Sequence, residues 1–424
     1  MKTEPHVITL GCRLNTYESE LMHDLAKQAG LTDTIIVNTC TVTSEADRQA
    51  RQTIRKLRRQ NPAANIIVSG CAAQIDPEKF AAMPEVDRVL GNQEKLDIRS
   101  YQNSDDGEKI LVADIMQAKE VAGHLLSGFE TRSRAFVQIQ QGCDHRCTFC
   151  IIPFGRGVNR SVPVGVIAQQ MNKLTDAGYK EAVLTGVDIS SYGGDLPGQP
   201  TLGQMARRLL DQAPALQRLR LSSLDPAAID DDLIALLAEE PRLMPHIHLS
   251  VQTGSDLILK RMKRRHTAPD VVALCRQLRE VRPETAFGAD LIAGFPTESD
   301  AMHQETLALI DEAKLTYLHV FPYSPRPGTP AADMPQVNDA VRKSRAAEIR
   351  AKGDNRQEGY FNGLIGATAS LLVERGGKGY TETYAPASLE NGKQNSVAEY
   401  KQGDIVPVTI TGLNQGSLTA EINI

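Results

Sequence analysis

The sequence predicts an α/β protein with an N-terminal parallel-sheet domain, a central partial (β/α)6 barrel and a small all-β barrel at its end. Three observations predict it. Short apolar runs alternate with amphipathic helical stretches over residues 1–100 and again over 134–322, the pattern of parallel strands joined by crossover helices. From Ala367 the chain changes to short strands broken by Gly and Asn, as in a small closed barrel. At 424 residues the chain exceeds one ordinary core, so two or three domains are expected, over 1–125, 130–360 and 365–424.

The first domain opens with strands at 6–12, 34–40 and 65–71. A helix is expected from Asn15, with Glu18 three residues on in a capping-box arrangement, and a second from Ser44 to Gln60, ending before Pro62. Each strand ends in cysteine: Cys12, Cys40 and Cys71. In open parallel sheets, ligand sites lie beyond the carboxyl ends of the strands, so these cysteines should converge on one rim. One buried strand cysteine would be ordinary core, but three at the same structural position mark a second metal centre.

Barrel strands are expected at 135–140, 182–186, 219–223, 247–251, 287–294 and 317–321, with helices between them such as 166–177 and 271–281. Cys275 falls on an apolar helix stripe with Val271, Val272, Leu274 and Leu278, which reads as core. A charged helix over 336–363 leads to tail strands at 370–374, 380–386, 396–400, 404–413 and 417–424.

Directly after the first barrel strand stand Cys143, Cys147 and Cys150, spaced C-x3-C-x2-C. Three thiolates so spaced hold three irons of a 4Fe-4S cluster and leave the fourth iron open. An open iron on a reduced cluster can bind and split S-adenosylmethionine, which points to radical chemistry. A structural zinc with His145 as a ligand is the alternative, although the spacing is not that of a usual zinc knuckle. An electron-transfer cluster would want a fourth cysteine nearby, and none follows in sequence. Phe149 is placed to screen the cluster from water.

Loops after the later strands are candidates for the nucleoside cofactor. Gly186 allows close backbone approach and Asp188 can take an amino group. Ser222, Ser223, Gln252 and Ser255 offer hydroxyl and amide groups to a ribose, and Ile292 opens an apolar wall for adenine.

The net charge of −5 excludes a chain-wide basic coat, so RNA contact must come from local patches. Arg48, Arg51, Arg55 and Arg58 recur at helical spacing, and residues 260–266 hold five cations. Both are either solvated faces or phosphate contacts. The tail, with four Lys/Arg against six Asp/Glu over 365–424, is poorly suited to phosphate. No apolar run reaches transmembrane length and residues 1–30 show no signal-peptide pattern, so the expectation is a cytoplasmic chain with no membrane partner. In that reducing compartment clustered cysteines mean metal more often than disulfide.

Together these motifs resemble the methylthiotransferase family of radical S-adenosylmethionine enzymes along nearly the whole chain. Residues 9–19, 38–51 and 69–74 are similar to that family's own domain, residues 142–157 to its radical centre, and the tail to its TRAM module. The resemblance implies two 4Fe-4S clusters: a radical cluster on Cys143, Cys147 and Cys150, and a sulfur-presenting one on Cys12, Cys40 and Cys71. It implies S-adenosylmethionine as cofactor and methylthiolation of carbon 2 of N(6)-threonylcarbamoyladenosine beside the tRNA anticodon. Its partners would be tRNA, a flavodoxin- or ferredoxin-like electron donor and a sulfur donor. The family's Gly-Phe-Pro-Gly-Glu reads Gly294-Phe295-Pro296-Thr297-Glu298 here, a departure in that loop.

Competing readings are the same chemistry on isopentenyladenosine or on a ribosomal-protein aspartate, and a non-catalytic iron–sulfur RNA-binding redox sensor. A cobalamin-binding radical enzyme is a further reading, but no D-x-H-x-x-G stands in residues 1–130.

Overall fold

The computed structural model describes residues 3–102, 108–119, 126, 128–129, 132–390 and 400–423. The N-terminal sheet has five parallel strands in sequence order: β1 (His6–Thr9), β2 (Thr34–Thr39), β3 (Asn65–Gly70), β4 (Arg88–Leu90) and β5 (Ile110–Leu111). The last two are too short to show an apolar run. Alternation along β2 and β3 sends Ile35, Val37, Ile66 and Val68 to one face, in a core with Ile54 of the helix Ser44–Gln60. Ile36 and Ile67 go to the other face, against Met22 and Leu25 of the helix Arg13–Gln28. With both faces covered, the sheet's chemistry is approached from its carboxyl edge.

The first helix begins at Arg13, with Cys12 at its N-cap and no side-chain capping bond. The expected capping box of Asn15 and Glu18 is therefore absent. Both side chains are fully buried; Asn15 Nδ2 donates to the carbonyls of Leu10 (2.6 Å) and Thr39 (3.0 Å) instead. The Ser44–Gln60 helix stands as expected, capped by Thr43 Oγ1 accepting from Ala46 N (3.1 Å).

All six expected barrel strands form: β6 (Ala135–Gln138), β9 (Glu181–Thr185), β10 (Arg218–Leu221), β11 (His246–Gln252), β12 (Ala286–Ala293) and β13 (Tyr317–Pro322). They make two parallel sheets, β10-β9-β6 and β11-β12-β13, linked by isolated bridges at Leu219–Leu243 and Leu224–Leu249. A short antiparallel pair, β7 (Gln140–Gln141) with β8 (Arg160–Ser161), frames the cysteine loop between them. Ile247, Leu249, Phe287, Ala289 and Leu291 pack outward with Cys275 and Leu278, which confirms Cys275 as core. The alternate residues, His246, His248 and Asp290 among them, therefore line the concave inner face.

The tail is a closed barrel in the order β14 (Thr368–Val373), β15 (Lys378–Thr381), β16 (Pro386–Leu389), β18 (Ser417–Ile422), β17 (Ile405–Asn414). Residues 380–386 are thus not one strand but the end of β15, the turn 382–385 and the first residue of β16. Residues 396–399 of the expected strand 396–400 lie outside the described residues. The helix Asp339–Asn362 leads into this domain.

Buried arginines of the central barrel fasten the tail by donating to its carbonyls. Arg218 reaches Ser370 O (2.6 Å), Arg220 reaches Thr381 O (2.7 Å) and Glu382 O (2.9 Å), and Tyr317 Oη donates to Thr383 O (3.1 Å). Tyr384 consequently enters the base of the inner face and stacks on His246, with ring centroids 4.8 Å apart.

Candidate active site between two cysteine triplets

Cys12, Cys40 and Cys71 follow β1, β2 and β3 at one rim, as the strand pattern predicts. Two glycines make the convergence possible. At Gly11 (φ +102°) an added Cβ would lie 2.6 Å from Cys40 Cβ, and at Gly70 (φ +95°) one would lie 2.4 Å from the Thr39 backbone. Cys40 and Cys71 are buried and Cys12 is exposed at the mouth. Burial pushes the Cys40 thiol up to about 12, with the neighbouring Cys71 adding to the rise. A bound cation is what would ionise such a group.

Across the rim lies the helix Ile152–Arg156, which begins two residues after Cys150. Arg156 is 2% exposed. Its Nε donates to Cys71 Sγ (3.0 Å) and its guanidinium pairs with Glu18 (Nη2 to Oε2, 2.9 Å) and bonds Asn15 Oδ1. Glu18 also takes Lys95 Nζ (2.7 Å) and Gln141 Nε2 (2.8 Å). Burial alone would raise the Glu18 carboxyl, but Arg156 and Lys95 outweigh it and hold it at about 2. One buried network thus joins the first cysteine rim to the loop that carries the second triplet.

That loop is fixed from several sides. Gln140 Nε2 donates to Gly142 O (2.6 Å) and Asn159 Oδ1 (2.6 Å), while its Oε1 accepts from the backbone N–H groups of Val187 (2.9 Å) and Asp188 (2.8 Å). Thr148 N donates to Met262 O (3.2 Å), and Ala331 N donates to Thr148 O (2.9 Å). Burial lifts the Cys150 thiol to about 11 and pushes the Cys143 thiol above its usual range, with Asp188 adding to the latter. Cys147 Sγ lies 3.7 Å from Arg264 Nη1.

The donor set fits iron clusters better than a closed zinc site. A Zn–S bond of about 2.3 Å would hold tetrahedral sulfurs about 3.8 Å apart. Among the described residues the groups of three metal-ligating atoms within 4.8 Å of one another are Cys143–His145–Asp188 and His248–Asp290–His319; neither triplet closes so tightly. Thiolates that each hold a separate iron need the wider spacing. His145 turns to Asp188 (3.2 Å) rather than completing the triplet.

The expected cofactor loops fall on this rim with differences. Asp188 faces the cysteine loop, accepting from Ser191 Oγ (2.7 Å) and lying 3.7 Å from Cys143 Sγ. Gly186 is required by packing: a Cβ there would meet Gln140 O at 2.8 Å. Ser222 and Ser223 are half-buried after β10, and Gln252 is half-buried at φ +74°, turned by the strand end. Ser255, 1% exposed, lies beneath the rim rather than on it. Ile292 and Phe149 join one apolar cluster with Phe295, Met262 and Tyr323.

The run 260–266 is divided: Lys260 and Lys263 are exposed, while its later members turn to the barrel. Arg264 and Arg265 pair with Asp225 (3.1 and 3.0 Å), and buried His266 lies 3.0 Å from Val251 O. Of the other arginine row, Arg48 pairs with Glu45 and Arg58 with Asp87. Arg156, Lys95 and Asp225 escaped the sequence reading, and Glu18 was read only as part of a cap, because their partners are remote in the chain; the one available signal was an arginine six residues past the last cysteine.

The Gly294–Glu298 loop, which departs from the family pattern at Thr297, is closed by Glu298. Glu298 accepts from Gly294 N (2.8 Å) and Arg345 Nη1 (2.7 Å). Thr297 sits at φ +68°, where a β-branched residue costs roughly 1–2 kcal/mol, while its Oγ1 accepts from Arg261 (2.7 Å). Thr297→Asn keeps an acceptor and tolerates the left-handed region, so it should stabilise the chain by about 1 kcal/mol. A thermal midpoint no higher than wild type would contradict this.

Comparisons with known proteins agree with the geometry. The profile of the Radical SAM superfamily matches residues 137–310, and that of uncharacterized protein family UPF0004 matches residues 4–91. The chain is 50% identical to threonylcarbamoyladenosine tRNA methylthiotransferase MtaB of Rickettsia prowazekii, over 97% of this chain and 95% of that one. The protein of the same name from Bacillus subtilis is 36% identical over 89% and 88%. The tRNA-2-methylthio-N(6)-dimethylallyladenosine synthase of Erythrobacter litoralis is 35% identical over 88% and 86%. In fold the chain is similar to the radical S-adenosylmethionine methyltransferase TsrM from Kitasatospora setae (TM-score 0.55, 14% identity, 78% of this chain and 77% of that one). Two cysteine triplets on facing rims, together with relatives this similar over nearly the full length, place the chain in one family: it belongs to the tRNA methylthiotransferases of the radical S-adenosylmethionine superfamily.

Proposed function

We propose that this chain adds a methylthio group to carbon 2 of N(6)-threonylcarbamoyladenosine next to the tRNA anticodon. The observation that carries the reading is the juxtaposition of two cysteine triplets across one mouth, tied through Arg156 and Glu18. In this reading Cys143, Cys147 and Cys150 hold the radical cluster, and Cys12, Cys40 and Cys71 hold the auxiliary one. When bound, the clusters and S-adenosylmethionine supply a carbon radical and a carried sulfur. The chain's own residues do the rest. Phe149 and Ile292 give the cofactor a dry wall, while Gly186, Asp188, Ser222, Ser223 and Gln252 offer it polar contacts; Ser255 supports the last loop from below. An adenine C–H has no acidic proton, so the inner face needs no general base. Its most buried imidazole, His246, is accordingly kept neutral by burial, with Arg220 contributing.

Working domain limits are 1–125, 130–360 and 365–424. The partners are tRNA, a flavodoxin- or ferredoxin-like electron donor and a sulfur donor, in the cytoplasm; no helix of the described residues is long and apolar enough to cross a membrane. Isopentenyladenosine is the second reading, because the Erythrobacter litoralis relative is named for that nucleoside at 35% identity. Two measurements test the proposal. Replacing Cys12, Cys40 and Cys71 together by Ala should remove about half the iron and sulfide; full retention would return these cysteines to the core. Nucleoside mass spectrometry of a strain lacking the chain should show no methylthio-threonylcarbamoyladenosine, and its undiminished presence would refute the substrate.

A further inference from the structure

We infer that Arg13 anchors the carboxylate of the substrate's threonylcarbamoyl substituent, with His319 farther along the same face as a second polar contact to that substituent; the inference rests on the nucleoside assigned above. The inner face carries many cations, and nearly all are spoken for. Arg134, Arg218 and Arg220 share Glu181 at 3.8, 3.3 and 2.9 Å, and Arg264 and Arg265 share Asp225. Arg13 differs. It is half-buried, directly follows Cys12, and meets only Tyr384 among the described residues: Nη2 donates to Tyr384 Oη (3.2 Å) and the guanidinium lies 5.7 Å from that ring's centre. Neither contact neutralises it. A permanent, forked cation without a counter-ion, beside an auxiliary cysteine, is suited to a carboxylate brought in by a ligand.

Tyr384 begins a row of rings that continues up the same face. It stacks on His246 (4.8 Å), His248 follows (6.4 Å), and His319 lies against His248 (4.6 Å). Asp290 Oδ1 lies 3.1 Å from His248 Nε2 and 3.2 Å from His319 Nδ1, which fixes both rings. His319 is 59% exposed, and with Nδ1 engaged its Nε2 is the nitrogen left to face a ligand. That nitrogen is thereby placed toward a polar group of the substituent while Nδ1 stays with Asp290. An isopentenyl group offers neither Arg13 nor His319 a partner, so this wall also supplies a basis for discrimination.

The test uses full-length, cluster-reconstituted protein and two anticodon stem-loops, one with N(6)-threonylcarbamoyladenosine and one with its threonyl carboxylate methyl-esterified. Arg13→Gln should raise KM for the acid roughly ten- to a hundredfold, with a smaller change in kcat, while iron content stays at the wild-type level. Arg13→Lys should restore most of the loss, and His319→Ala should show a smaller KM increase. For the ester, wild type and Arg13→Gln should have equal KM. An unchanged KM for the acid in Arg13→Gln would overturn the inference. So would an equal loss on acid and ester, which would mark a structural role, or a divalent ion bound by wild type and lost in His319→Ala. A wild type that makes no product from the acid would instead overturn the nucleoside assignment, and the inference with it.

Discussion

Replacing Arg156 with Met is expected to destabilise the chain by about 3–5 kcal/mol and to lower its iron content. The side chain sits at 2% exposure among groups that were chosen for its charge. Without it Glu18, also fully buried, keeps only Lys95 as a charged partner, and Asn15 Oδ1 and Cys71 Sγ lose their donor. Removing one member of a buried network costs more than the bond itself, because the others stay desolvated and unpaired. A urea midpoint gives the first number, and an iron assay the second. Glu18→Gln in the same background should recover part of the loss, since the uncompensated carboxylate is then gone. pH offers an independent reading. The Glu18 carboxyl is depressed from 4.5 to about 2 in the folded chain, so its stabilisation is present above about pH 4.5 and lost as pH falls toward 2. The gap between wild type and Arg156→Met should therefore narrow over that interval. A wild-type midpoint for Arg156→Met at neutral pH would show that the two cysteine loops are held together by something else.

The same network shows what the sequence could and could not reveal. The six barrel strands and the three cysteine-ended strands were legible because alternation and spacing are local properties. The C-x3-C-x2-C spacing likewise announced its chemistry within eight residues. Asn15 and Glu18 were misread as a cap for a physical reason: residues three apart on a helix share a face, whether that face is a terminus or a buried wall. Only the partner decides, and Arg156 lies 138 residues from Glu18. In residues 260–266 the charge correctly suggested a surface for Lys260 and Lys263, but could not show that Asp225 draws Arg264 and Arg265 to it. β4 and β5 were silent because three and two residues cannot display a period. Of the cofactor loops, the sequence identified the strand ends correctly but not the depth of each side chain, which is how Ser255 was placed on the rim rather than beneath it.

The second large effect is expected at the base of the inner face. Glu181 is fully buried and takes Arg220 (2.9 Å), Arg218 (3.3 Å) and Arg134 (3.8 Å). Burial would raise its carboxyl, but Arg220 and the other two outweigh that and hold it low, so it stays ionised among them. Glu181→Ala would leave three buried guanidinium groups without their acid. Their remaining partners are mostly carbonyls of the C-terminal barrel, at Ser370, Thr381 and Glu382, plus Glu374. Repulsion among the arginines then acts directly on that interface, at a cost of about 3–5 kcal/mol. The C-terminal barrel should loosen before the rest unfolds, so limited proteolysis should cut first near residues 363–367. Arg220→Met added to Glu181→Ala should cost less than the sum of the two changes, because each removes the other's reason to be charged. A variant with an unaltered midpoint and cleavage pattern would show that carbonyls alone suffice. The consequence reaches the mouth of the site, since Tyr384 enters the inner face from this domain and is the residue on which Arg13 rests. Loosening the tail should therefore weaken recognition of the acid more than of its ester, which makes the C-terminal barrel part of the substrate wall whether or not it touches the rest of the tRNA.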